Sequence, residues 1–185
     1  MHHKYRIAIL GIGGVGGFLG GMLASAYSNT ADIEIIFIAR GHHALAIREN
    51  VLKLITSSQE KIVRPDTLTD DPGSIGMIDL LICCVKAYDL ESSIRPLLSS
   101  ITPDTVILPL LNGVDNSEKL QSVLPEARVL QGCIYIVSKI IAPGVVQQRG
   151  EFWSLHFGGD NLSSTEETHI LELFKKAGIN ALLES

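Results

Sequence analysis

The feature that most limits what this chain can become is the run Gly11-Ile12-Gly13-Gly14-Val15-Gly16, a G-x-G-x-x-G spacing. It stands directly behind the apolar stretch Tyr5 to Leu10 and opens a small-residue segment reaching about Ser28. Such a run lets a chain leave a strand, turn sharply and enter a helix at once. Gly11 allows the turn, Gly13 leaves room for a phosphate to approach the main chain, and Gly16 lets the helix pack close to the strand. The free N–H groups and the dipole at the helix start near Gly14 then face an anion. Taken alone, the spacing also suits a packing turn with no ligand, or a site for S-adenosylmethionine or a flavin nucleotide. Its place between strand and helix near the N-terminus favours a dinucleotide.

The remainder repeats that alternation. Strands are expected at Tyr5 to Leu10, Glu34 to Ala39, Leu80 to Val85 and Val106 to Leu111, apolar at nearly every position, as strands buried on both faces are. Helices are expected at His42 to Asn50, Asp89 to Ser99 with a break near Pro96, Ser117 to Leu124 with Ser117 as cap, and Thr165 to Ala177 stopped by Gly178. Val51 to Ile55 and Lys61 to Val63 form a hairpin, and Thr69 to Gly76 reads as a loop. Val129 to Val137, Val145 to Arg149 and Trp153 to Phe157 read as a β-meander leaving the sheet around Pro143-Gly144, with a last edge strand at Ala181 to Leu183. The fold class is therefore α/β: a Rossmann-type, doubly wound, mostly parallel sheet with a meander near the C-terminal end.

In such a sheet ligands lie outside the carboxyl ends of the strands. The second strand ends Ile38-Ala39-Arg40-Gly41, with Arg40 following Gly16 by 24 positions. An NAD-specific domain places a carboxylate about 20 residues on for the ribose 2′-hydroxyl. A guanidinium there instead grips a 2′-phosphate through two hydrogen bonds, so Arg40 points to NADP(H) over NAD(H). Lys86 follows the third core strand on the same edge; it fits a phosphate or ribose contact and equally a solvent-facing lysine. Asn112-Gly113 follows the next strand and fits either a plain turn or a group holding nicotinamide, ribose or substrate.

The net charge is −5 and no basic stripe is present, which speaks against a nucleic-acid or anionic-membrane partner. No apolar run approaches the roughly 20 residues of a membrane span, and Met1-His2-His3-Lys4 has no signal-peptide core behind it, so the cytoplasm is expected. Cys83, Cys84 and Cys133 lack metal or redox spacing and read as three buried thiols; His2 and His3 read as a loose terminus, and no metal site is expected.

The ordered set GIGGVGG, IARG, VKAYD, LLNGVDN, LQGCIYIVSKIIAPGVV and LHFGG covers nearly the whole chain and resembles the N-terminal domain of ketopantoate reductases (2-dehydropantoate 2-reductases). The resemblance implies NADPH-dependent reduction of 2-dehydropantoate to pantoate, on the route to pantothenate and coenzyme A. It implies that Gly11, Ile12, Gly13, Gly14, Val15 and Gly16 bind the pyrophosphate and Arg40 the 2′-phosphate. Lys86 and Asn112 fall on cofactor contacts, Asn112 also touching substrate, and Ser138 on a looser one. It also implies a second, helical domain bearing the lysine that polarises and protonates the keto group. Residues 1–185 are accordingly expected to be one dinucleotide-binding domain, stopping before that second domain, holding no catalytic residue and showing little turnover alone. Self-association is a further expectation of the family. Two other readings stay open: a non-catalytic NADP(H)-binding module, and a related NADP-dependent dehydrogenase of another 2-keto or 3-hydroxy acid.

Overall fold

The computed structural model describes residues 3–113, 115–160 and 162–184. Its elements run β1 (Tyr5–Leu10), α1 (Gly14–Tyr27), β2 (Ile33–Ile38), α2 (Gly41–Asn50), β3 (Leu52–Ile55), β4 (Glu60–Val63), β5 (Thr67–Thr69), β6 (Leu80–Cys83), α3 (Leu90–Ile94), β7 (Val106–Pro109), α4 (Asn116–Val123), β8 (Arg128–Val129), β9 (Gln131–Ala142), β10 (Val145–Gly158), α5 (Ser164–Lys176) and β11 (Ala181–Leu183). The largely apolar strands β1, β2, β6 and β7 form one parallel sheet with the short β5 and β8, in the order β5-β2-β1-β6-β7-β8. Numbered within that sheet alone, the order is 3-2-1-4-5-6, the dinucleotide-binding arrangement with its crevice where the winding reverses beside β1. Ile7, Ile9, Ile35, Phe37, Leu80 and Ile82 are fully buried on one face and Ala8, Ile36 and Leu81 on the other, as strands covered on both faces require.

The expected meander is larger than its sequence suggested. β9 and β10 form one long antiparallel hairpin through the Pro143-Gly144 turn, and β10 runs unbroken as a strand past a register shift between Arg149 and Ser154. The hairpin also joins a second sheet, ordered β11-β10-β3-β4 with β9 paired to β10. The strand expected over Val129 to Val137 is in fact two, because the chain leaves the parallel sheet at the buried Leu130. β5 lies inside what read as the approach to a loop. It is too short to show periodicity and is fixed by its neighbours: Asp66 accepts the Ile35 N–H at 2.8 Å, and Thr67 donates to Glu34 at 3.2 Å.

Helix α1 lies between the two sheets, and its small residues explain how. A Cβ on Gly20 would come within 2.8 Å of Phe37 in β2, and one on Gly17 within 2.6 Å of Val146 in β10. Leu19, Leu23 and Phe18 fill the remaining surface. Helix α5 covers the second sheet, where Tyr27 at the end of α1 donates to the Leu173 carbonyl at 2.9 Å. Its start is a capping box: the Ser163 N–H donates to Glu166 and the Ser163 hydroxyl accepts from the Glu166 N–H.

Three smaller expectations are corrected. Ser117 does not cap α4; its hydroxyl donates to the Leu130 carbonyl at 3.0 Å, tying the helix to the end of the parallel sheet. Cys83 is buried, but Cys84 is half-buried and Cys133 exposed, because Cys133 faces outward on the alternating strand β9. His3 is anchored by its Nε2 to Asp79 at 3.0 Å, whereas His2 lies outside the described residues.

Candidate functional site

The carboxyl ends of β1, β2 and β6 open into a cleft of about 400 Å³. Its wall includes Gly11, Ile12 and Gly13 from the first turn, Arg40 from the end of β2, and Lys86 beyond β6. Gly11 has φ of +92°, a conformation only glycine adopts without strain, and its N–H donates to the Ile38 carbonyl at 3.0 Å. Gly16 is tighter still, since a Cβ there would stand 2.0 Å from the Gly11 oxygen. Gly13 is the opposite case. Nothing lies within 4 Å of where its Cβ would be. It is the N-cap of α1 and no side chain caps that helix end. The first turn of the helix therefore presents uncapped N–H groups beside an open face, the physical requirement for receiving a phosphate. A dinucleotide fits this cradle.

Gly14 and Val15 belong to the start of α1 and are not among the residues lining the cleft. A Cβ on Gly14 would meet the Ser138 carbonyl oxygen at 2.4 Å, so the helix start rests on the main chain of β9. Ser138 thus sits against the cradle, with its hydroxyl buried and without a hydrogen-bond partner among the described residues. Arg40 and Lys86 are exposed at their side chains, and neither makes a side-chain hydrogen bond or ion pair among the described residues. Two cations thus face one cleft without a counter-ion of their own among the described residues. Asp70 and Asp89 also line it, and Asp70 is answered by Arg48 at 3.4 Å.

Asn112 is not brought into this cleft. It lines a neighbouring cavity of about 400 Å³ at the end of β7, together with Gly113, Asn116 and Gln131. Asn116 is 4% exposed, and its Nδ2 donates to the Leu111 carbonyl at 3.1 Å and to the Gly113 carbonyl at 2.7 Å.

Sequence reasoning passed over His43 and Asn116. His43 lines the cleft beside Arg40, and its Nδ1 accepts the Gly144 N–H at 3.0 Å. Burial holds its imidazole below the ordinary histidine range. Neither residue has a local signature, because each acts on main chain placed by the tertiary fold. A larger cavity of about 440 Å³ beside Cys133, His156 and Glu184 receives none of the expected residues. There Glu184 bonds His156 Nδ1 at 2.6 Å and Ser154 bonds Nε2 at 2.9 Å, a chain that ties the segment after β11 to β10. Among the described residues no helix is long and apolar enough to cross a membrane, and no cluster of His, Cys, Asp or Glu suits a metal ion.

Comparison with known proteins places this geometry. The sequence model of ketopantoate reductase PanE/ApbA matches residues 7–159. The chain is similar to a 2-dehydropantoate 2-reductase of Pyrococcus horikoshii, at 32% identity over 94% of this chain and 54% of that protein. It is also similar to the uncharacterized oxidoreductase YkpB of Bacillus subtilis, at 27% identity over 90% of this chain and 53% of that protein. The crystal structure of 2-dehydropantoate 2-reductase from Porphyromonas gingivalis W83 superposes with a TM-score of 0.91 at 37% identity, covering 98% of this chain and 64% of that one. The chain spans about half the length of the curated relatives it matches.

Proposed function

The chain belongs to the ketopantoate reductase family, and from that premise we propose that it is the NADP(H)-holding domain of a cytoplasmic oxidoreductase reducing 2-dehydropantoate to pantoate. The observation that carries the proposal is the meeting of an open helix start at Gly13 with two cations, Arg40 and Lys86, that are unpaired among the described residues, on one cleft wall. No carboxylate stands where β2 ends; Arg40 does.

When bound, the cofactor supplies a hydride from its nicotinamide. The chain's own residues bind and orient. The segment Gly11 to Gly16 receives the pyrophosphate on main-chain N–H groups, the Gly14 end braced by Ser138. Arg40 pairs with the 2′-phosphate, and Lys86 adds a second positive charge on the same wall. Asn112, one cavity further along the strand ends, holds the nicotinamide end or the 2-keto acid. Proton donation to the keto oxygen is assigned to a lysine of a second, helical domain; Lys139, Lys175 and Lys176 are not placed in that role.

The test is direct titration of the chain with NADPH and NADH, for wild type and Arg40→Ala. NADPH should bind at least about tenfold more tightly than NADH in wild type, and R40A should erase that preference by weakening NADPH alone. Equal wild-type affinities overturn the assignment. Self-association belongs to the same proposal: Tyr135, Val137 and Phe152 stand 65%, 67% and 94% exposed on β9 and β10, and light scattering at high concentration reads it.

A further inference from the structure

We propose that Asn116 is a positioning residue that acts on the cofactor through Asn112. The inference rests on the reading of Asn112 given above, and nothing in that reading involves Asn116.

Asn112 lies in an exposed turn between β7 and α4, and an exposed turn does not by itself hold a side chain in one direction. Asn116 supplies what the turn lacks. Its Nδ2 donates to the carbonyls of Leu111 and Gly113, the two residues that flank Asn112. One amide therefore grips the main chain on both sides of the presented residue, at the peptide that precedes Asn112 and at the carbonyl one residue beyond it. The amide's orientation follows from its partners: turned over, its oxygen would face two carbonyl oxygens. Gly113 completes the clamp, with φ of +122° and an ideal Cβ position only 3.2 Å from Asn116 Nδ2, so a larger residue there would press on the amide.

The grip is anchored. Asn116 is the first residue of α4, and the Ser117 hydroxyl ties that helix to the Leu130 carbonyl. On the strand side, the Leu110 N–H donates to the Cys83 carbonyl at 2.8 Å. The turn is thus held at both ends, and Asn116 sets its middle. Asn116 Oδ1 is buried without a partner among the described residues. Such an orphaned acceptor carries a desolvation cost and gives no stabilising hydrogen bond in return.

Asn116→Asp has the same shape but exchanges the two donated hydrogen bonds for carbonyl-facing oxygens, which releases the turn. The full chain is titrated as wild type, N112A, N116D and the double variant, with NADPH and with 2′,5′-ADP, which carries the 2′-phosphate but no nicotinamide. N116D is expected to weaken NADPH about tenfold while leaving 2′,5′-ADP within about twofold. The double variant should bind NADPH no more weakly than N112A, since a clamp has nothing to position once Asn112 is gone. Additive losses in the double variant, equal weakening of both ligands, or unchanged NADPH affinity in N116D each overturn the inference. Wild type that binds neither ligand instead overturns the cofactor reading on which it rests. Should N116D fail to fold, N116S is titrated in its place and read by the same outcomes.

Discussion

The Gly144 N–H donates to Nδ1 of His43 across 101 residues of sequence at 3.0 Å, joining the turn of the β9–β10 hairpin to the helix that Arg40 precedes. Nδ1 accepts this bond only while the imidazole is neutral, and burial keeps it neutral by lowering its pKa.

A pH dependence follows from that bond. The folded pKa of His43 lies below the unfolded value, so as pH falls the unfolded chain takes up the proton first. The stabilisation is fully present above about pH 6.5, the unfolded pKa, and is lost as pH drops through and below it. His43→Asn keeps an acceptor for Gly144 but does not titrate. Between about pH 7.5 and 5.5 the fall in Tm should be smaller in H43N than in wild type. Calorimetry giving equal slopes would remove His43 as the cause.

The glycines of the first turn should divide cleanly between fold and ligand. Gly16→Ala places a methyl group 2.0 Å from the Gly11 oxygen, a main-chain atom that has little room to yield, and should cost about 1–3 kcal/mol of stability. Gly13→Ala meets nothing within 4 Å. It should cost less than about 1 kcal/mol yet weaken NADPH binding, because the methyl group occupies the phosphate's approach. Denaturant unfolding and NADPH titration of both variants check the pair; a Gly13→Ala protein with wild-type affinity would contradict the cradle.

Helix α5 should be acid-sensitive at its start. The Ser163 N–H and hydroxyl, with Arg128, hold the Glu166 carboxyl down at about 2. Its folded pKa is depressed, so its contribution is present above the unfolded carboxylate value and is lost as pH falls from about 4.5 toward 2. Ser163→Ala removes the cap and should cost about 1 kcal/mol at neutral pH. Glu166→Gln should flatten the stability profile below about pH 5. Far-ultraviolet circular dichroism melts at three pH values test both.

The three cysteines should react in two classes. Cys133 is exposed, whereas burial pushes the Cys84 thiol up to about 12 and that of Cys83 upward as well. A thiol reagent should modify Cys133 rapidly in the native protein and the half-buried Cys84 and buried Cys83 far more slowly, with all three reaching full rate only in denaturant, which mass spectrometry resolves.

Much of the parallel sheet was legible because its strands are buried on both faces and announce themselves as unbroken apolar runs, as Leu80 to Cys83 does. Gly11, Arg40 and Lys86 were legible for a related reason: the residue that follows such a strand must emerge at the ligand edge. The strands of the second sheet were legible too, the hairpin over Leu52–Ile55 and Glu60–Val63 and the edge strand Ala181–Leu183 among them, but their assembly into one sheet was not. Leu52 to Ile55 finds Val145 to Gln147 as its partner about 90 residues on, and a half-exposed strand carries no local mark of whom it will pair with. His43 and Asn116 escaped for the same physical reason, since each bonds to main-chain groups whose position only the finished fold decides.

Because α1 is pressed between two sheets with glycine at its tightest contacts, the floor beneath a bound pyrophosphate has almost no freedom to adapt. Any adjustment to one nucleotide over another must come from the rim, where Arg40 and Lys86 stand exposed on long side chains. A shift in preference between the two nicotinamide carriers should therefore be reachable by changing side chains at the edge, with the helix itself left untouched.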